Sequence, residues 1–148
     1  MDLDIDAYIP DKYIRNEYQQ LDIYKRIAMI ESREEYDDML EELLDRFGEP
    51  PKAVQNLLSI AELKAEAHRA FITEVTQKGD FIKLVMYEKT QADPKRIEQM
   101  IQKYQGKMKF VIEANPYFLY TKPRKSAKDN RDVLELTREM IEDIGGIS

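Results

Sequence analysis

The feature that most constrains this chain is a change of hydrophobic period at Phe71. Before it, apolar residues recur every three to four positions, which gathers them on one face of an α-helix. After it they alternate, as in a β-strand that is buried on one side. Helices ahead of the switch and strands behind it predict the α+β class, with helices packed on a mainly antiparallel sheet. A chain of 148 residues is long enough for one domain that buries about two-thirds of its unfolded surface. We expect a single domain over 1–148, with a mainly helical part (1–70) and a ββαββα part (71–148).

The leading residues alternate Leu3 and Ile5 against Asp2, Asp4 and Asp6, a short strand that Pro10 interrupts. Asn16 is placed to cap a first helix, whose apolar residues Leu21, Ile23, Tyr24, Ile27, Ala28 and Ile30 cover more than half the circumference. Such a helix is expected to be covered on two sides. Ser32 stands three residues before Glu35, the capping-box spacing, and opens a second helix. Its stripe of Tyr36, Met39, Leu40, Leu43, Leu44 and Phe47 is directed to the core. Gly48 ends that helix because glycine enters left-handed backbone without a Cβ penalty. Pro50 and Pro51 cannot continue it, yet proline suits the first turn of the next helix. Residues 47–52 are therefore the joint of a helical hairpin. The third helix carries Val54, Leu57, Leu58, Ala61 and Ala65 on one face and Ile60, Leu63 and Ala67 on another.

Beyond the switch, "FITEVTQ" and "FIKLVMY" flank a Lys78-Gly79-Asp80 turn, the pattern of a β-hairpin. Asp93 and Pro94 occupy the cap and first position of a helix carrying Ile97, Met100, Ile101 and Tyr104, which Gly106 stops. Met108, Phe110 and Ile112 alternate inward, Asn115-Pro116 turns, and "YFLYT" returns. A last helix uses Val133, Leu136, Met140 and Ile144, with Ser126 to Asp129 fitting its start.

Several kinds of chemistry lack their residues. There is no cysteine, which removes disulfides, thiol nucleophiles and thiolate metal sites and is compatible with a cytoplasmic protein. No uncharged apolar run approaches the ~20 residues needed to cross a bilayer, and the first residues lack a signal peptide's basic region, so no membrane is expected. The start resembles a segment of a longer polypeptide. The five glycines form no phosphate-binding loop, so no nucleotide cofactor is expected. His68 is the single histidine, which precludes a histidine-pair metal site. At the end of the third helix its ring is expected to pack on the apolar side, favoured by the helix dipole.

Two charge runs remain. On the second helix Glu34, Asp38, Glu41 and Asp45 lie opposite the core stripe, with Glu35, Glu42 and Arg46 on one flank. Acid–base catalysis would need a carboxyl whose pKa is shifted by burial or a close partner, which an exposed row does not supply. A solvated face is the plain alternative. Like charges four residues apart, as in Glu34 and Asp38 or Glu41 and Asp45, destabilise a helix slightly, and a basic docking partner would relieve them. The second run, Lys122, Arg124, Lys125, Lys128 and Arg131 with Tyr117, Phe118 and Tyr120 upstream, has the composition of a nucleic-acid grip. Asp129 and Asp132 dilute it, strand packing accounts for the aromatics, and a net charge of −6 opposes binding to phosphate backbone as the main role.

The stretches "IDAYIPDKYI" (5–14), "LDIYKRIA" (21–28) and "ELLDRFGEPPKAVQNLL" (42–58) together resemble the carboxy-terminal domain of bacterial transcription-repair coupling factors. The later strands and last helix agree with that family in pattern more than in residues. The family's complete protein is an ATP-driven DNA translocase that removes stalled RNA polymerase and recruits UvrA. Its motor and its contacts with DNA and RNA polymerase belong to other domains. The resemblance therefore implies a non-catalytic, autoinhibitory domain without cofactor or metal. Such a domain docks on the UvrB-like amino-terminal module of the same polypeptide and masks that module's UvrA-binding surface. By the same resemblance the docking acids fall at Glu42 and Asp45, with Glu41 and Arg46 beside them. The alternative is a nucleic-acid-binding accessory domain acting through 122–131, with Lys122, Arg124, Lys125 and Lys128 as its contacts.

Overall fold

The computed structural model describes residues 1–87, 93–122 and 133–146. Its elements are α1 (Glu17–Ala28), α2 (Arg33–Phe47), α3 (Lys52–Arg69), β1 (Ile72–Lys78), β2 (Phe81–Met86), α4 (Pro94–Lys103), β3 (Met108–Val111), β4 (Tyr117–Thr121) and α5 (Val133–Gly145). The chain forms two compact units, Ile5–Ala65 and Met1–Asp4 with Glu66–Ser148.

The first unit is a helical assembly around Ile9, Ile14, Ile23, Ile27, Ile30, Met39, Leu43, Val54 and Leu58. Each helix starts where its capping residue dictates. The Asn16 side chain accepts from the Gln19 amide, and the Ser32 hydroxyl accepts from the Glu35 amide at 3.1 Å. Glu35 reaches back to the amide of Glu31 at 2.8 Å, so the Ser32 half of the capping box is in standard register while its return bond falls one residue before the cap. The segment before α1 is fixed by polar contacts with the helices. The Tyr24 hydroxyl accepts from the Ile9 amide at 2.7 Å, and Asn56 donates to the Asp6 carbonyl at 2.9 Å.

α1 is covered on one side only. Ile23 and Ile27 are buried, but Leu21 is 58% exposed and Ala28 lies open. Its apolar arc is wider than the surface that α2 and α3 offer, and the excess faces solvent. Leu44 departs from the α2 stripe for a related reason. It sits roughly 80° around the helix from Tyr36, at the edge of the arc, and is 55% exposed.

The joint after α2 is not the expected left-handed cap. Gly48 has φ 88 and ψ −171, a region essentially restricted to glycine. Its amide donates to the Leu44 carbonyl at 3.1 Å, and its own carbonyl accepts from the Tyr13 hydroxyl at 2.7 Å. The Pro51 carbonyl then takes the amides of Val54 and Gln55, opening α3. Burial raises the pKa of the Tyr13 phenol, consistent with its role as a donor. At the other end of α3, His68 is exposed rather than packed, because the buried side of that turn is taken by Ala67 and Ala70.

The second unit is built on a four-stranded antiparallel sheet in the order β1-β2-β4-β3. Lys78 pairs with Phe81, so the hairpin turns on Gly79 and Asp80, with Gly79 at φ 59. The expected leading strand shrinks to one parallel bridge between Asp2 and Thr76. The Asp4 amide donates to the Gln77 side chain at 2.8 Å instead of to backbone, which ends the ladder after that rung. On the inner face of the sheet, Ile72, Val75, Ile82, Leu84, Met108, Phe118 and Tyr120 are all buried. Tyr104, which follows α4, meets Tyr120 edge to face at 5.7 Å. β3 ends at Val111, so Ile112 is 83% exposed rather than inward. α4 and α5 are joined by polar contacts: Lys103 reaches Asp143 at 2.8 Å and Glu139 at 3.0 Å, and Arg96 donates to the Gly146 carbonyl.

A Cβ added at Gly48 would meet no atom within 4 Å, so the cost of Gly48→Ala is backbone strain alone. We expect a loss of about 1–3 kcal/mol, measured by chemical denaturation. A loss within the ~0.5 kcal/mol usual for surface changes would contradict the conformational argument.

Candidate functional site

α2 presents its charges on two different surfaces, and the core stripe decides which. With Met39 and Leu43 turned inward, Glu34, Asp38, Glu41 and Asp45 point away from the core, while Glu42 and Arg46 occupy the flank turned toward α1. Across that flank stands Arg26. Its Nη2 lies 2.6 Å from Glu42 Oε1 and its Nη1 contacts Oε2, while Arg46 Nη1 reaches Oε2 at 2.9 Å. One carboxylate is thus clamped by two guanidiniums. The Arg26 hydrogen bonds, more than the Arg46 contact, lower the Glu42 pKa to about 2, and partial desolvation opposes the shift without reversing it.

The four residues expected at the docking site therefore divide. Glu42 is paired with both Arg46 and Arg26, and the Arg46 guanidinium also lies 4.9 Å from the Phe47 ring centroid. Glu41 and Asp45 are exposed, and among the described residues neither forms an ion pair. Leu44, one turn on from Glu41, is exposed as well. Beside this face Arg26, Met29, Ile30, Met39, Asp38 and Glu42 are among the residues that line an open groove of about 330 Å³. Arg26 is not legible as a member of this site in the sequence. It lies sixteen residues before its partner on another helix, and no local spacing reveals the pair.

A carboxyl held this strongly ionised is the reverse of what a general acid requires. Among the described residues no cluster of three or more His, Asp or Glu side chains could hold a metal ion. No helix described is long and apolar enough to cross a membrane. Of the basic run, Lys122 follows β4 and its amide donates to the Asp80 carbonyl at 2.7 Å. Arg124, Lys125, Lys128 and Arg131 lie outside the described residues, as does the expected helix start at 126–129.

Residues 3–97 match the family described as TRCF domain. The chain belongs to that family. The matched span runs from the leading segment through the three helices and the first hairpin into α4. Among curated relatives, the transcription-repair-coupling factor of Bacillus subtilis (strain 168) is 36% identical over 93 residues, 63% of this chain and 8% of that protein. The factor of Staphylococcus haemolyticus (strain JCSC1435) is 32% identical over 132 residues, 88% of this chain and 11% of that protein. The chain thus spans about a tenth of the length of these relatives. The crystal structure of the C-terminal domain of a transcription-repair coupling factor superposes with a TM-score of 0.69 at 28% identity, covering 97% of this chain and 89% of that one. The five helices and antiparallel sheet are therefore the α+β fold of that family's C-terminal domain.

The clamp on Glu42 sets an acid limit. Its pKa is lowered on folding, so its contribution to stability is complete above the ordinary glutamate value of about 4.3 and disappears as the pH falls through about 2. Carboxyl-detected NMR should give a Glu42 midpoint near 2, and Arg26→Gln should move it upward. An ordinary midpoint in the unaltered chain would contradict the two-arginine geometry.

Proposed function

We propose that this chain is a non-catalytic regulatory domain of a transcription-coupled DNA-repair translocase, docking through the outer face of α2 on a UvrB-like module of the same polypeptide. Docked there, it covers the surface by which that module binds UvrA and holds the protein in a closed, autoinhibited form. ATP-driven movement and the contacts with DNA and RNA polymerase belong to other parts of such a protein, which acts in the cytoplasm. The observation that carries the proposal is the pair Glu41 and Asp45, exposed and free of ion pairs among the described residues, with Leu44 open one turn on from Glu41.

The chemistry of that face fits a basic partner. Like charges at Glu41 and Asp45 repel mildly along the helix, and arginines from outside would relieve them. Leu44 supplies an apolar contact that bound charges can shield from water. Glu42, assigned to docking by the family resemblance, acts at the margin of this surface. Because it already engages two arginines, an incoming guanidinium gains little unless it displaces Arg46. Asp45 therefore carries more of the docking than Glu42.

Affinity between this chain and the separately produced UvrB-like module tests the proposal. Exposed charges are screened over about 10 Å at 0.1 M salt, so binding should weaken as salt is added. Asp45→Lys with Glu41→Lys should lower affinity by at least about tenfold, ~1.4 kcal/mol, and free the module to bind UvrA. Glu42→Gln should cost less than that pair. Binding that ignores both the reversal and the salt would remove the α2 face as the docking surface.

A further inference from the structure

The sheet has a second face whose side chains are exposed or half-buried. Strand register places Thr76 and Lys78 of β1, Phe81, Lys83 and Val85 of β2, Tyr117 and Leu119 of β4, and Lys109 and Val111 of β3 on one side. The buried residues Ile82, Leu84, Phe118 and Tyr120 lie on the other. Phe81 is 48% exposed, Lys83 and Lys109 are exposed, and Tyr117, Leu119 and Val85 are half-buried. The aromatic rings belong to β2 and β4, the two central strands.

Charge on this face runs against that of the whole chain. Its strand residues carry three lysines, Lys78, Lys83 and Lys109, against one acid, Glu74, on the edge strand. Thr76, Lys83, Leu119 and Lys109 form one row across the four strands. In the next row Val85 pairs with Tyr117 and Tyr117 with Val111. The Lys83 ammonium rests 4.3 Å from the centroid of the Tyr117 ring. Phe81 and Tyr117 sit four residues apart in register, about 14 Å along the strands.

We propose that this open face binds single-stranded nucleic acid, with bases stacking on Tyr117 and Phe81 and the lysine row taking the phosphates. Stacking on flat rings tolerates any base, and a groove or row of cations follows the backbone; together they define a sequence-tolerant single-strand platform. Lys83 already occupies a ring face through a cation–π contact. An arriving base replaces it there, and the released ammonium meets the adjacent phosphate. A duplex offers no unstacked base to the rings, so the platform favours single strands. The site shares no residue with the α2 face, and its success or failure leaves the docking proposal untouched.

Fluorescence anisotropy with a labelled mixed-sequence single-stranded DNA oligonucleotide, titrated with the full chain at low ionic strength, tests this. Binding should weaken as salt rises, roughly in proportion to the phosphates neutralised, and exceed that for the matching duplex. Lys83→Glu with Lys109→Glu should reduce affinity at least about tenfold. Tyr117→Ala with Phe81→Ala should reduce it by about fivefold or more while leaving the salt dependence unchanged. The four changes are on the exposed face, and unaltered circular dichroism would confirm that the fold persists. The proposal is overturned by absence of binding, by equal preference for duplex, or by binding that survives these changes and is lost on neutralising Lys122, Arg124 and Lys125. Equal binding of a polyglutamate peptide with the same dependence on Lys83 would assign the face to an acidic protein segment instead.

Discussion

The helical unit depends on the backbone reversal at Gly48. Its glycine-only conformation turns the chain from α2 into α3 within a few residues, and the Tyr13 hydroxyl fixes the carbonyl that the turn leaves without a helical partner. With the reversal set, Met39 and Leu43 of α2 and Val54 and Leu58 of α3 must share one core. The rotation of α2 about its axis then has no freedom left. Glu41 and Asp45 face outward because the opposite side is buried, and Glu42 is turned toward Arg26 for the same reason. The electrostatics of the helix follow from a backbone constraint at its end.

That rotation divides acids which look alike in sequence. Exposed ion pairs are worth about 0–1 kcal/mol, so the Glu42 clamp adds little to global stability despite its large effect on one pKa. Its consequence is local: it neutralises part of the flank and fixes α1 against α2 at their polar rim. The unpaired acids beyond it cost the helix a few tenths of a kcal/mol in repulsion, which a purely structural face could have avoided with lysines at the same spacing. Arg33 shows that alternative in the same helix, where it meets Asp37 four residues on and the buried Glu62.

What the sequence made legible was chemistry that acts over a few residues. Asn16, Ser32 and Asp93 cap helices as their spacing predicts, and the change of period at Phe71 separates the helices from the sheet. Errors arose where a residue's surroundings come from elsewhere in the chain. Leu44, Leu21 and Ile112 each continue an apolar pattern past the edge of what the partner element covers, and periodicity does not report where that cover stops. His68 lies on the exposed side of its turn because Ala67 and Ala70, both small, fill the buried side. Arg26 and Glu62 find their partners across helices, beyond the reach of i,i+4 reasoning. The division of the α2 acids into those with and those without an ion pair among the described residues is illegible for that reason, whereas their side of the helix is not.

Net charge is the weakest guide in this chain, and the sheet explains why. A total of −6 argues against a phosphate-binding role only if charges are mixed evenly, because counterions screen each surface within about 10 Å and a ligand senses the side chains it touches. Antiparallel pairing separates charges efficiently: alternation sends Lys83 and Lys109 to the face opposite Leu84 and Met108, and registration through Leu119 sets the two lysines in one row. The acids that dominate the total sit mostly on helices, where a period of 3.6 collects them on outer faces instead. Two periodicities in one chain thus produce surfaces of opposite sign, which the sum of the charges does not report.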